Sequence, residues 1–173
     1  LEIPTVFRKS IDKVADAIVK EDPDVVLSIG QAGGRFEVTP ERVAINVDDA
    51  RIPDNEGNQP IDVPIYEDGA PAYFTTLPVK AMVEAIKSVG LPSSLSNSAG
   101  TFVCNQVFYA LMHALATRRR WGRLRGGFIH VPWLPEQGTP SMPLADIVRG
   151  LRVAVRVALT TSQDLRLAAG QIS

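Results

Sequence analysis

Apolar side chains recur at helical intervals in four segments of the chain. A repeat of three to four residues places these side chains on one face, so each segment is predicted to be an amphipathic helix. Gly90 follows the second segment and is typical of a helix end. The predicted helices are Thr5–Glu21, Leu77–Val89, a segment that contains Cys104 and extends to about Thr117, and Leu144 to about Leu159.

Short apolar segments between these helices predict strands. A long region, Asp48–Pro71, is instead rich in Pro, Asn, Asp and Gly, and we predict a loop that is too polar for the core. The predicted strands are Val25–Ile29, Glu41–Val47, Phe128–Val131 and, as a further candidate, Leu91–Leu95.

The alternation of strands and helices indicates the fold class. Helices that connect successive strands are typical of crossover units in a parallel sheet. We therefore predict a single α/β domain over residues 1–173, a three-layer α/β/α sandwich with a mostly parallel central sheet. Reactive groups in such sheets gather at the carboxyl ends of the strands.

Composition and charge narrow the possible partners and locations. The 173 residues carry a formal net charge of −1, which gives no support to nucleic acid or an acidic membrane as a partner. The single cysteine excludes an internal disulfide and favours the cytoplasm. No apolar run approaches the roughly 20 residues that span a bilayer, and no signal peptide is evident. The chain begins at Leu1 without a methionine, so we expect that part of its start is missing.

Two further patterns give no cofactor or nucleic-acid signal. The segment GQAGGR, residues 30–35, lacks the spacing of nucleotide-binding loops, and no zinc-ligand spacing occurs, so we expect neither cofactor nor metal. We interpret a basic segment around Trp121 as a solvated loop. Its arginines are Arg118, Arg119, Arg120, Arg123 and Arg125.

Cys104 is the candidate for reactive chemistry. The small residues of SNSAGT precede it and allow a sharp turn, so that the thiol falls in the first turn of a helix. The helix dipole and the backbone N–H groups there stabilise a thiolate. The alternative is that Cys104 is a buried small apolar residue, which is the commoner role of a free cysteine.

A nucleophilic thiol needs a base, and the chain has two histidines. His113 lies nine positions after Cys104 on the same predicted helix, about 180° around it and about 13 Å along it, so it cannot reach the thiol. His130 closes a predicted strand and is the better candidate. Spacing alone leaves the carboxylate that would orient the imidazole open among six residues. They are Glu41, Asp48, Asp49, Asp54, Glu56 and Glu136.

Four blocks of sequence carry a family resemblance. They are GQAGGR, TPERVAINVDDARIPDNEGNQP, SNSAGTFVCNQVFYALMH and GGFIHVPWLPEQ, and they extend from about Val25 to Gln137. In content and order they resemble the pyrrolidone carboxyl peptidases (pyroglutamyl peptidase I), which are cysteine peptidases. The resemblance implies hydrolysis of amino-terminal pyroglutamate from peptides by a Cys–His–Glu triad through a thioester. It also implies a homotetramer.

The resemblance assigns roles to individual residues. It implies Cys104 as the nucleophile, His130 as the base and Glu41 as the orienting carboxylate. It places Arg51 beside the oxyanion. It further implies that four residues contact the lactam ring or line its pocket: Gln31, Ile52, Phe102 and Val103.

The chain departs from the family pattern at its start. The family begins with a strand and a loop of the GFEPFGG type, for which this sequence has no counterpart. We therefore expect an incomplete lactam pocket and a less protected sheet edge. Two alternatives follow: an inactive relative whose pocket cannot close, or a cysteine amidase that acts on another small amino-terminal cap.

Overall fold

The computed structural model describes residues 1–118 and 123–169. Within these residues, helices and short strands alternate along the chain. In order they are α1 (Lys9–Glu21), β1 (Val25–Gln31), β2 (Thr39–Pro40), β3 (Val43–Ile45), β4 (Ala72–Phe74), α2 (Val79–Ser88), α3 (Val103–Thr117), β5 (Arg125–Val131) and α4 (Leu144–Thr160). They belong to two compact units. The first unit comprises Leu1–Val26, Val43–Phe74 and Ser98–Gly126, and the second comprises Leu27–Arg42, Thr75–Asn97 and Gly127–Ser173.

The first unit is built around α3, which is buried along most of its length. This helix contacts α1 and the antiparallel pair β3–β4. Its Asn105 is fully buried, and the side-chain amide donates hydrogen bonds to the carbonyls of Ile45, at 2.9 Å, and Val47, at 3.1 Å. The Asn105 carbonyl oxygen accepts the Ile45 N–H at 3.1 Å. These bonds attach the first turn of α3 to β3.

The second unit contains a three-stranded sheet in the order β1–β5–β2. β1 and β5 are parallel, since hydrogen bonds join Arg125 to Asp24 at their starts and Ala32 to Val131 at their ends. β2 is antiparallel to β5. Parallel bridges from residues 38 and 41 to residues 93 and 96 extend the pairing beyond β2. Outside the sheet, α2 packs against α4.

The predicted α/β class is confirmed, and all four predicted helices are present. The first helix begins at Lys9 and not at Thr5, because Arg8 has a φ of +66°, which an α-helix does not adopt. The predicted strand over Glu41–Val47 is wrong in extent, since only Val43–Ile45 forms β3. The candidate strand Leu91–Leu95 pairs only through a single bridge at Ser93. That residues 1–173 form a single domain stays a prediction.

The region Asp48–Pro71 contains no helix or named strand, as predicted, but it is not too polar for the core. Asp48, Ala50, Asp54 and Ile65 are all buried. The Asp54 carboxylate accepts the backbone N–H groups of Phe7, Glu56 and Asn58 at 2.8 to 2.9 Å. A polar residue can thus be buried here because backbone N–H groups of the loop and of Phe7 satisfy its hydrogen bonds.

Candidate active site

Glu41 and His130 form a buried pair on neighbouring segments of the sheet in the second unit. Thr39 lies directly opposite His130 in the antiparallel register, and Glu41 follows two residues later. Because side chains alternate along a strand, Glu41 and His130 project from the same face as diagonal neighbours. His130 Nδ1 is 2.8 Å from Glu41 Oε1, and the side chains are 4% and 0% exposed.

This hydrogen bond defines the chemistry open to the imidazole. A carboxylate only accepts hydrogen bonds, so Nδ1 carries the proton and the neutral ring keeps its lone pair on Nε2. The ring is further held by Phe128, whose centroid is 4.7 Å from that of His130. In this arrangement the His130 imidazole can accept a proton at Nε2, and the Glu41 carboxylate stabilises the imidazolium that forms.

Arg35 is a second hydrogen-bond partner of Glu41, and it brings the positive charge of a guanidinium. The sequence patterns did not indicate this partner. Its Nη1 is 2.7 Å from Glu41 Oε1 and 2.6 Å from Thr39 Oγ1. Oε1 of Glu41 therefore accepts from two side chains. Oε2 is buried and has no hydrogen-bond partner among the described residues. In the sequence, Arg35 is notable only as the arginine that ends GQAGGR, a segment without the spacing of nucleotide-binding loops.

Cys104 lies in the first unit, in the first turn of α3, as the small-residue turn predicted. The thiol is half-buried. Phe102, at the N-cap, is extended and contributes no side-chain capping bond. The Phe102 ring packs edge-on against Phe7 at 5.2 Å between centroids, and Val103 joins the same apolar cluster. Phe102 and Val103, the two residues that precede Cys104 in the chain, thus contribute to an apolar cluster.

Gln31 ends β1 in the second unit and is exposed. Its side-chain amide pairs reciprocally with that of Gln137, at 2.5 and 3.2 Å. Gln137 also accepts the Leu134 N–H at 2.8 Å. Arg51 and Ile52 are exposed in the first unit, Ile52 at 64%. Single exposed apolar side chains are common, so exposure alone identifies no pocket around Ile52.

The second unit therefore brings Glu41 and His130 together, and the first unit groups Cys104 with Phe102 and Val103. The roles that sequence resemblance gave to the individual residues stay predictions. Cys104, Arg51, Ile52, Phe102 and Val103 belong to the first unit, whereas Glu41, His130 and Gln31 belong to the second.

His113, whose helical position predicts that it cannot reach the Cys104 thiol, packs among aromatic side chains. Its Nδ1 is 3.1 Å from the Tyr73 hydroxyl, and its ring lies 4.6 Å from that of Tyr66. Burial, together with the charge of Arg118, lowers the pKa of His113. Burial raises the pKa of neighbouring Tyr109 to about 12. His113 therefore belongs to an aromatic cluster in the first unit.

Asp48 is a buried carboxylate near the start of α3. Burial raises its pKa to about 6, against the opposing effects of a hydrogen bond from Gln106 and the charge of Arg8. Gln106 Nε2 is 2.5 Å from Asp48 Oδ2, and the side-chain oxygen Oε1 of Gln106 accepts the Arg8 backbone N–H at 2.7 Å. Asp48 Oδ1 has no hydrogen-bond partner among the described residues. Of the six candidate carboxylates, Asp48 is thus engaged by Gln106, whereas Glu41 contacts His130.

Other features of the described residues bear on possible ligands. Among residues 1–118 and 123–169, no cluster of three His, Cys, Asp or Glu side chains is arranged to hold a metal ion. Within the same residues, every helix is too short or too polar to cross a membrane. Of the basic segment, Arg119, Arg120 and Trp121 lie outside the described residues.

A half-buried thiol at a helix start and a buried carboxylate–imidazole pair are the components that cysteine hydrolases use. The family model for pyroglutamyl peptidase matches residues 1–161. A pyrrolidone-carboxylate peptidase of Staphylococcus carnosus is 57% identical, over 99% of this chain and 82% of the relative. That of Clostridium botulinum is 54% identical with the same coverage.

Solved structures of pyroglutamyl peptidases are also similar to this chain. Pyroglutamyl peptidase I from Bacillus amyloliquefaciens superposes with a TM-score of 0.93 at 47% identity, covering 96% of this chain and 80% of that chain. Pyrrolidone carboxyl peptidase from Thermococcus litoralis gives 0.90 at 34% identity, over 96% and 81%. The chain belongs to the pyroglutamyl peptidase family. It is an enzyme, a hydrolase of the cysteine peptidase class.

Proposed function

We propose that this enzyme removes amino-terminal pyroglutamate from peptides with Cys104, His130 and Glu41 as its triad. Family membership supports the reaction. The observation that carries the residue assignment is the buried hydrogen bond of 2.8 Å between Glu41 Oε1 and His130 Nδ1. It supplies an oriented base, and Cys104 is the single thiol of the chain.

The reaction proceeds in two halves. His130 accepts the proton of Cys104, and Sγ attacks the pyroglutamyl carbonyl carbon to form a tetrahedral intermediate. The C–N bond then breaks as His130 donates that proton to the departing amine, which leaves a thioester. Water, deprotonated by His130, attacks the thioester carbonyl, and pyroglutamate and the free thiol are released. Glu41 keeps the proton of the neutral ring on Nδ1 and stabilises the imidazolium.

The remaining roles, which the sequence resemblance implies, suit the chemistry of the lactam. Pyroglutamate is a neutral ring, so an apolar pocket of Ile52, Phe102 and Val103 suits it, with Gln31 as a polar partner. The apolar packing of Phe102 and Val103 in the first unit supports this role. Arg51 and the N terminus of α3 stabilise the oxyanion, where the helix dipole favours negative charge.

A pyroglutamyl-aminocoumarin amide tests the proposal directly. We expect hydrolysis by the unmodified chain and none after alkylation by iodoacetamide, since only Cys104 can react as a thiol. Cys104→Ala should be equally inactive, whereas Asp146→Asn, on the exposed surface of α4, should retain wild-type rates. A Cys104→Ala protein that still cleaves the amide would refute the thioester mechanism.

A substrate panel separates pyroglutamate from another small cap. Prolyl, acetyl and free glutamyl amides of the same aminocoumarin differ from the lactam in charge, ring closure or carbonyl placement. We expect kcat/KM to favour the pyroglutamyl amide over each of them. A chain that prefers the acetyl amide would instead be an amidase for a different cap.

We also propose a homotetramer in the cytoplasm. Four apolar side chains of α4 are exposed at helical spacing, which suits a contact between copies: Leu144, Val148, Val155 and Leu159. The single cysteine suits a reducing compartment. Sedimentation velocity should give a tetramer, and the double substitution Val148→Asp, Val155→Asp should dissociate it. A monomer at micromolar concentration would contradict the assembly.

A further inference from the structure

We propose that Arg35 is a positioning residue for the peptidase reaction. It holds Glu41 as an ionised acceptor for His130 throughout the catalytic cycle. The proposal rests on the function proposed for the Glu41–His130 pair, and it adds a fourth side chain to that machinery.

The Arg35 guanidinium donates a hydrogen bond to the same oxygen of Glu41 that accepts from the His130 imidazole. Arg35 Nη1 and His130 Nδ1 lie 2.7 and 2.8 Å from Glu41 Oε1. The same Nη1 is 2.6 Å from Thr39 Oγ1. Thr39 is the residue directly opposite His130, and its hydroxyl is 3.4 Å from the His130 carbonyl oxygen. Arg35 therefore donates hydrogen bonds both to the Glu41 carboxylate and to Thr39, the residue paired with His130 across the sheet.

The burial of Glu41 explains why a permanent charge is needed. The Glu41 side chain is 0% exposed, and a buried carboxylate is destabilised unless a cation or several hydrogen bonds compensate it. His130 compensates this charge only while protonated, and it alternates between the neutral and charged forms during general acid–base catalysis. A guanidinium stays charged in both states. With Arg35 in place, Glu41 remains an acceptor when the imidazole is neutral.

The backbone of the GQAGGR segment turns tightly just before Arg35. Gly34 has a φ of +85°, a conformation that favours glycine, and the Arg35 N–H bonds back to the Ala32 carbonyl at 3.4 Å. A side chain at residue 33 would overlap the indole of Trp133. The two glycines thus allow a tight turn directly after β1, from which Arg35 reaches Thr39 and Glu41. The Arg35 side chain remains 28% exposed, so small solutes can reach its position.

Substitution with chemical rescue tests this role in the intact chain. Arg35→Met should lower kcat about ten- to a hundred-fold, as the loss of one hydrogen bond between charged groups typically does, with KM nearly unchanged. Arg35→Lys should retain part of the rate. Guanidinium chloride, well below denaturing concentrations, should raise kcat of Arg35→Ala. The control is Arg149→Met, which removes an exposed arginine paired with Asp146. We expect this variant to have the wild-type kcat, both without and with guanidinium chloride.

An activity-independent measurement keeps this proposal separate from the proposed function. In a His113→Gln background a single imidazole remains. Its Nδ1 proton should resonate at low field because it is bonded to a buried carboxylate, and Arg35→Met should shift or remove that signal. If wild type cleaves no pyroglutamyl substrate but the signal depends on Arg35, the positioning role stands and the proposed function fails.

Two outcomes would overturn the role of Arg35. One is an Arg35→Met protein with wild-type kcat. The other is a folded variant, judged by circular dichroism, in which kcat falls but guanidinium restores nothing and the Nδ1 proton signal is unchanged. In the second case Arg35 would only support the local structure.

Discussion

Asp48 lies in the first unit with a pKa raised by burial from its ordinary value of 3.8 to about 6, and this shift predicts a pH-dependent stability. The folded chain binds the Asp48 proton more tightly than the unfolded chain does. The contribution of Asp48 to the free energy of unfolding is therefore fully present below about pH 3.8 and is lost as the pH rises through about 6. At about 1.36 kcal/mol for each pH unit, that interval corresponds to about 3 kcal/mol.

Substitution of Asp48 by asparagine isolates this contribution. The amide oxygen can still accept the Gln106 hydrogen bond, but the group no longer titrates. Its NH₂ group would replace Oδ1, which has no partner among the described residues, at a cost of about 1–3 kcal/mol that does not vary with pH. Urea unfolding of both proteins, between about pH 4 and 8, gives the difference in free energy of unfolding, wild type minus Asp48→Asn. We expect this difference to fall by about 3 kcal/mol across the range.

Asp54 provides a matched control in the same unit. Burial would raise its pKa, but the hydrogen bonds from Asn58, Phe7 and Glu56 outweigh burial and hold the pKa at about 2. Its contribution to stability is lost only as the pH falls through about 2. Above about pH 5, Asp54 is ionised in both the folded and unfolded chains. The difference between wild type and Asp54→Asn should thus stay flat from about pH 5 to 8. A flat difference for Asp48→Asn as well would refute the burial of an ionisable Asp48.

Three other substitutions test the site and its supports. Glu41→Gln should lower kcat by about 10² to 10⁴, because an uncharged amide can accept the Nδ1 hydrogen bond but does not stabilise the imidazolium; steady-state kinetics with the aminocoumarin amide checks it, and a loss below ten-fold would contradict it. His113→Gln should leave kcat/KM within about two-fold of wild type in the same assay, since His113 packs only in the aromatic cluster. Asn105→Ala should lower the free energy of unfolding by at least about 2 kcal/mol in urea, because backbone groups of Ile45 and Val47 lose their partners; an unchanged midpoint would show that water replaces them.

The helices could be predicted from sequence because each encodes its own periodic pattern. Even the first turn of α3 was placed correctly, from the small residues that precede Cys104. β2 and β4 were missed because they contain only two and three residues, too few to show alternation. Their pairing depends on partners distant in the chain, such as Ile129 opposite Pro40. Local pattern carries no information on such partners.

At the candidate site, too, local features could be predicted and contacts between distant residues could not. A histidine at a strand end and a thiol at a helix start are local features, and both were found. Spacing alone left the carboxylate open among six residues, and resemblance, not geometry, selected Glu41. Neither Arg35 nor the burial of Asp48 could be predicted. The position of Arg35 depends on a turn through Gly34, and the buried Asp48 is bonded to Gln106, which lies 58 residues away in sequence.

The Glu41–His130 hydrogen bond also has a consequence for biosynthesis. Its two residues are separated by 89 positions, and β5 is the last strand of the described chain. A growing polypeptide emerges from the ribosome amino terminus first. Cys104 is therefore made before the strand that carries its proposed base, and the nascent enzyme holds an unassisted thiol until β5 has emerged and paired with β2. Under the proposed mechanism, proteolytic activity therefore cannot begin before β5 has been made.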